Sequence, residues 1–136
     1  MSALAPALVL VMAMQAANPE TIARDNMSNV EDAKQAVART QAEWAALWRL
    51  HAGDQPLPKI DFTKRTVVAV FLGTRPTAGY AVEVSGATPA GKTMVVEWRE
   101  QAPKPGSILA QVITSPAHLV SLPKFDGEIT FRKVDP

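Results

Sequence analysis

At 136 residues, the chain is long enough for one domain of ordinary size with some terminal extension. Apolar residues make up 47% of it, which is enough for a hydrophobic core. The 14 basic and 13 acidic residues leave a net charge of +1, and no basic run is present, so a nucleic-acid-binding surface is not indicated. The absence of cysteine excludes disulfides, thiolate metal sites and a cysteine nucleophile.

The first seventeen residues carry no charge, and residues 4–14 are almost wholly apolar. Such a stretch is typical of the apolar region of a secretory signal peptide and is too short to span a bilayer as an ordinary helix. Ala16 and Ala17 are small, as a cleavage site requires. We therefore expect residues 1–17 to be a signal peptide or apolar leader of a periplasmic or secreted protein without a membrane span. The alternative is a buried N-terminal strand or helix.

Residues 18–60 are interpreted as a polar segment followed by a helix. Residues 18–30 are polar and read as a surface segment, while residues 32–39 fit either a helix or a short strand. Thr40 stands three residues before Glu43 in a capping-box arrangement, and Gly53 occupies the usual C-terminal position, which predicts a helix over residues 41–52. One face of this helix carries Trp44, Leu47, Trp48 and His51.

The two tryptophans on that face, Trp44 and Trp48, are expected to pack into the core, with an exposed partner-binding patch as the alternative. His51 is interpreted as a last-turn residue that the helix dipole favours, not as a ligand.

From residue 61 to residue 136 the apolar pattern changes to that of strands. Residues 67–72 form a continuous apolar run, typical of a strand covered on both faces. Further strands are predicted at residues 80–84, 93–99, 107–113, 117–122 and 128–134, with turns at 88–91 and 103–106. The predicted fold class is α+β, mainly β: an antiparallel sheet folded as a small β-sandwich or open barrel, with the N-terminal helix packed on it.

The loop at residues 73–80 is the strongest candidate for function. It reads Gly73-Thr74-Arg75-Pro76-Thr77-Ala78-Gly79-Tyr80 and connects two predicted strands. Glycine permits positive φ and proline fixes its own φ, so we expect a rigid backbone with positive φ at Gly79 that presents Arg75 and Thr77. Arg75 is expected to face solvent. The loop leads into a strand and not a helix, which argues against a phosphate-binding role.

The residues do not suggest catalysis, a cofactor or a metal site. The only histidines are His51 and His118, without the spacing of metal ligands, and no serine stands in a G-x-S-x-G context. Ser115, between Thr114 and Pro116, is expected to bond to local backbone in a bend. His118 is expected to be packed and hydrogen-bonded.

Three stretches together resemble a known family. They are residues 73–80, the Pro103-Lys104-Pro105-Gly106 turn, and Thr114-Ser115-Pro116-Ala117-His118. In these stretches the chain resembles the C-terminal domain of the protease complex subunit PrcB family, over roughly residues 61–124. Residues 35–53, which contain E-W-A-A-L-W, are more loosely similar to the helix that often precedes that domain. The family usually carries a second glycine where this chain has Ala78.

The resemblance implies a small exported protein that acts as a non-catalytic partner in a protease complex. Residues 73–80 would then be the partner-binding loop, and Thr114, Ser115, Pro116 and His118 a second family motif. One alternative is a protease inhibitor, because residues 76–80 are reminiscent of the N-P-T-T-G-Y loop of chagasin-type cysteine-protease inhibitors. Another is a domain that binds a small ligand or the cell envelope.

Overall fold

The part of the chain that the structure describes has three layers, which are one helix and two β-sheets. The structure is a computed structural model and describes residues 18–136, so the leader expected at residues 1–17 lies outside the described residues. In chain order the elements are β1 (Glu20–Asp25), β2 (Lys34–Ala38), α1 (Gln41–Ala52), β3 (Arg65–Phe71), β4 (Ala81–Ala90), β5 (Thr93–Gln101), β6 (Ala117–Pro123) and β7 (Glu128–Lys133).

The strands form two sheets. The first has the order β1-β6-β3-β2 and is antiparallel throughout, and the second has the order β4-β5-β7. The predicted α+β, mainly β fold with one helix is confirmed: residues 18–136 form two sheets and one helix, with no closed barrel among them. One pair departs from the antiparallel expectation: β5 and β7 are parallel, because the chain passes through β6 in the other sheet before it returns.

The central strands β3 and β6 separate two hydrophobic clusters. On one face of the first sheet, Val67, Ala69 and Phe71 pack against helix α1. On the other face, Val68 and Val70 pack against the second sheet. The apolar run at residues 67–72 therefore belongs to a strand covered on both faces, as its composition predicted.

Helix α1 has the predicted bounds and caps. The Thr40 hydroxyl accepts a hydrogen bond from the Glu43 N–H at 3.1 Å, and Gly53 ends the helix with φ of 65°. Trp44 and Trp48 are buried, and their indole N–H groups donate to carbonyl oxygens in the connector after the helix, at 2.9 and 3.0 Å. The tryptophan face is thus part of the core and does not form an exposed patch.

Two segments were predicted wrongly. Residues 18–30 do not form only a surface segment, because β1 lies within them and pairs with β6. This strand is polar because it is an edge strand with mostly exposed or half-buried residues. Residues 107–113 do not form a strand: their composition favours one, but they have no neighbouring strand to pair with.

Smaller differences concern segment boundaries. The ambiguous residues 32–39 contain the edge strand β2, so residues 18–60 and 61–136 share one sheet. The turn predicted at 88–91 is shorter, since β4 continues to Ala90 and only Gly91 and Lys92 turn. No helix within residues 18–136 is long and apolar enough to cross a membrane.

Candidate functional site

The loop at residues 73–80 lies between β3 and β4, and its two glycines allow it to pack closely on neighbouring segments. Gly73 has φ of 81° and Gly79 has φ of 97°. A Cβ at Gly73 would lie 2.9 Å from the backbone nitrogen of Ala33, and one at Gly79 would lie 2.9 Å from the Cγ of Pro103. Both positions therefore require glycine for conformation and for space.

The side chain of Arg75 connects this loop to β5 and to the loop's own backbone. Its Nε and Nη2 donate to the two carboxylate oxygens of Glu100, at 2.7 and 3.0 Å, and its Nη1 donates to the carbonyl oxygens of Leu72 and Thr74. The hydrogen bond from Arg75 lowers the pKa of Glu100 below its ordinary value and raises the pKa of Arg75. The expectation that Arg75 faces solvent is wrong, because Glu100 on β5 reaches the loop from 25 positions away.

Thr77 is also engaged in hydrogen bonds within the fold. Its hydroxyl donates to the Ala78 carbonyl at 2.8 Å, and its carbonyl accepts from the Thr114 hydroxyl at 3.0 Å. The backbone of Thr114 pairs with Arg75 through hydrogen bonds of 2.7 and 2.9 Å, so the two motifs seen in the sequence are in direct contact. The exposed residues of the loop are Thr74, Pro76 and Gly79, and Tyr80 is half-buried.

Backbone hydrogen bonds connect the second motif, residues 114–118, to segments that are distant in sequence. The Ser115 N–H donates to the carbonyl of Asn26 at 2.7 Å, and the Ser115 carbonyl accepts from the Ser28 N–H at 2.9 Å. These backbone partners of Ser115 are distant in sequence, and the expected bond of its hydroxyl to local backbone stays a prediction. The carbonyl oxygen of the buried Pro116 accepts a hydrogen bond from the Leu72 N–H at 3.0 Å.

His118 joins the two sheets and is buried. Its Nδ1 accepts the Val84 N–H of β4 at 2.8 Å, so Nε2 carries the proton and donates to the Thr21 hydroxyl of β1, also at 2.8 Å. Burial lowers the pKa of His118 to about 4, and the positive charge of Arg24 acts in the same direction. Beside it, Arg24 Nε donates to the Val82 carbonyl at 3.0 Å. His118 is thus a neutral structural residue.

A serine, a histidine and an aspartate meet at the end of helix α1. The Ser28 hydroxyl lies 2.8 Å from Nδ1 of His51, and Nε2 of His51 lies 2.8 Å from Oδ2 of Asp25. Sequence reasoning missed this group, because Ser28 and Asp25 lie in the segment taken as a polar surface. The network ties β1 and the following loop to the last turn of the helix, so His51 is more than a residue favoured by the dipole.

The geometry of this group does not provide an accessible nucleophile. Ser28 is buried, and its oxygen also accepts the Val30 N–H at 3.1 Å. A cavity of about 250 Å³ borders Asp25 and His51, but Ser28 does not line it. A nucleophilic serine must reach substrate beside donors for the oxyanion. The three residues therefore form a structural network.

Other features that would indicate ligand chemistry are weak in the described part of the chain. Residues 18–136 contain no group of three or more side chains that could hold a metal ion, and no buried side-chain polar atom there lacks a hydrogen-bond partner. A cavity of about 540 Å³ beside helix α1 is an open groove lined by Trp48, Arg49 and Leu57 among others. The outer surface of the loop at residues 73–80 is therefore the stronger candidate for a binding site.

Comparison with known proteins supports the resemblance read from the sequence. The family model described as PrcB C-terminal matches residues 66–123, which run from β3 to the end of β6. The match includes the loop at residues 73–80 and the motif from Thr114 to His118. No curated protein and no solved structure matched the chain.

Proposed function

We propose that this chain, whose residues 66–123 form a PrcB C-terminal domain, is a non-catalytic accessory subunit that stabilises or assembles an extracytoplasmic protease. The observation that carries the proposal is the family match, which associates the domain with a protease complex. The uncharged apolar leader at residues 1–17 supports export of the chain.

The internal use of the polar side chains supports a binding role over a catalytic one. Arg75 is engaged by Glu100, and the hydroxyls of Thr77 and Thr114 bond to backbone carbonyls. His118 is held between Val84 and Thr21. The bonds of Arg75, Thr77 and Thr114 stiffen the loop at residues 73–80. What remains for a partner is the outer surface of this loop, formed by residues such as Thr74 and Pro76.

Affinity capture of the full chain from the envelope of its native host tests the proposal. Recovery of a protease, identified by mass spectrometry, and a fall in the amount or activity of that protease when the chain is deleted are expected. An inhibitor would produce the opposite result, a rise in protease activity on deletion. Failure to recover any protease would contradict both roles and favour a ligand-binding domain of the envelope.

Export is tested separately by the mass of the native protein. We expect the mature chain to begin near Ala17 or Asn18, since the small residues Ala16 and Ala17 end the apolar leader. An intact Met1 on protein from the cytosolic fraction would contradict export.

A further inference from the structure

The segment that follows β5 exposes an unusual amount of apolar surface. Six large hydrophobic side chains are exposed within residues 18–136, and three of them lie at six consecutive positions. Ile108 is fully exposed, Val112 is 48% exposed and Ile113 is 68% exposed. Isolated exposed hydrophobic residues are common, but a cluster of this kind marks a contact surface.

The backbone of the same segment is also unpaired. Among residues 18–136, no acceptor is bonded to the N–H groups of residues 108–113. Of the carbonyls in this stretch, that of Ala110 accepts the Ala78 N–H at 3.1 Å, and that of Leu109 accepts only a long bond from the Gln111 side chain. Within the described part of the chain, the segment thus has a row of backbone N–H groups without acceptors beside its apolar side chains.

The composition of the segment is that of a strand without a neighbour. Residues 108–114 read I-L-A-Q-V-I-T, rich in β-branched residues, and residues 105–123 contain no Lys, Arg, Asp or Glu. Proteins normally protect an exposed strand edge with charges, prolines or a covering element. Within residues 18–136 this segment is neither paired with a strand nor protected in these ways, so its backbone is available to a strand from another molecule.

The loop at residues 73–80 contacts this segment and its C-terminal end at several points. Thr114, at its end, pairs with Arg75, and Ala110 bonds to Ala78 in the middle. A Cβ at Gly79 would meet the side chains of both Pro103 and Leu109, at 2.9 and 3.1 Å. The loop at residues 73–80 therefore acts as a support that fixes the segment before binding, which reduces the entropy lost on association.

We propose that residues 108–113 form an interaction strand that pairs with an extended strand in a cleft of the partner protease. This inference rests on the proposed function, and it assigns the contact to a segment other than the family loop. Main-chain hydrogen bonds would supply affinity, and pockets for Ile108 and Ile113 would supply specificity. Since the strand is uncharged, the matching surface of the partner is apolar and neutral, and binding should depend little on salt.

A concave partner fits this segment better than a second copy of the chain. A stable interface involves roughly 20–30 residues on each side, whereas this segment has six residues, five of them exposed. Two such short segments would bury little surface against each other. A cleft can enclose both faces of the same strand and bury more area from the same residues.

Hydrogen exchange of the full chain, free and bound to the protease recovered in the capture experiment, tests this inference. We expect the amides of residues 108–113 to exchange rapidly in the free chain and at least about tenfold more slowly in the complex. Ile108→Asp and Ile113→Asp should each weaken binding by roughly thirtyfold, as for an interface hot spot. Leu50→Asp is the matched control, because Leu50 is 55% exposed on helix α1 and should leave binding unchanged.

Each other outcome overturns the inference in an identifiable way. If the protease is recovered but the segment remains unprotected and both variants bind like wild type, the strand is not the contact and the proposed function still stands. If no protease is recovered, both proposals fail. If the free chain at high concentration doubles in mass and protects residues 108–113, the segment binds a second copy instead.

Discussion

Acidification should destabilise this protein through His118. The ordinary pKa of histidine is 6.5, and burial between β1, β4 and β6 lowers the pKa of His118 to about 4. Below pH 6.5, His118 becomes protonated in the unfolded chain, whereas in the folded chain it stays neutral until about pH 4. The stability supplied by the neutral His118 is therefore complete above pH 6.5 and is lost progressively as the pH falls from 6.5 to about 4.

The size of this loss follows from the two pKa values. At about 1.4 kcal/mol for each pH unit, the interval corresponds to about 3 kcal/mol of unfolding free energy. That is a large share of the roughly 5–15 kcal/mol that stabilises a typical domain. Physically, a protonated Nδ1 would present a hydrogen to the Val84 N–H in place of a lone pair, and the bond between the two sheets would be lost.

Urea unfolding of wild type and His118→Gln over a range from about pH 7 to about pH 4 measures the effect. The variant should be less stable at neutral pH but should lack the titration, so the gap between the two proteins should narrow by about 3 kcal/mol on acidification. Asp61 and Glu100 also have lowered pKa values, but they are present in both proteins and cancel in the difference. Parallel pH profiles of the two proteins would refute the reasoning.

Three further predictions concern stability. Arg75→Ala should lower the unfolding free energy by about 1–3 kcal/mol, because the largely buried Glu100 carboxylate loses both hydrogen bonds from Arg75 and keeps only the long one from Lys133. Arg132→Ala, at an exposed ion pair, should lower it by less than about 1 kcal/mol in the same melts, and equal losses would contradict the role of the Arg75–Glu100 pair. Gly79→Val should cost about 1–3 kcal/mol or more, since φ is 97° and the added Cβ would meet a proline ring, and a melt identical to wild type would show that the loop backbone is not constrained. Trp44→Ala should cost about 3–5 kcal/mol in urea unfolding, and a loss below about 1 kcal/mol would contradict its place in the core.

Local signals explain what the sequence predicted well. The cap residues Thr40 and Gly53 and the spacing of Trp44 and Trp48 specify a helix within twelve residues, and the structure has the same bounds. The apolar run at residues 67–72 needs no partner to be read as a covered strand. In each case the physical cause of the element lies within the element's own stretch of sequence.

The errors arise where the cause lies elsewhere in the chain. β1 is polar and forms a strand only because β6 lies beside it, whereas residues 107–113 have the composition of a strand but lack a neighbour. The same reason applies to the candidate site. Nothing near Arg75 indicates that Glu100 will meet it, and nothing near His51 indicates Ser28 and Asp25. Such pairs are set by strand order, which the sequence does not display locally.

The position of β1 in the first sheet has a consequence for the order in which this protein can fold. β1 pairs with β6, so Glu20 lies opposite Ser121. The parallel pair of β5 and β7 likewise cannot form before β7, the last of the described strands, has been synthesised. Folds dominated by such distant pairings form slowly, on a timescale of roughly milliseconds to seconds, because long loops must close before their contacts form. The chain must therefore be synthesised as far as the end of β6 before the first sheet can be completed. Until then β1 and β3 lack the strand that lies between them in the finished sheet.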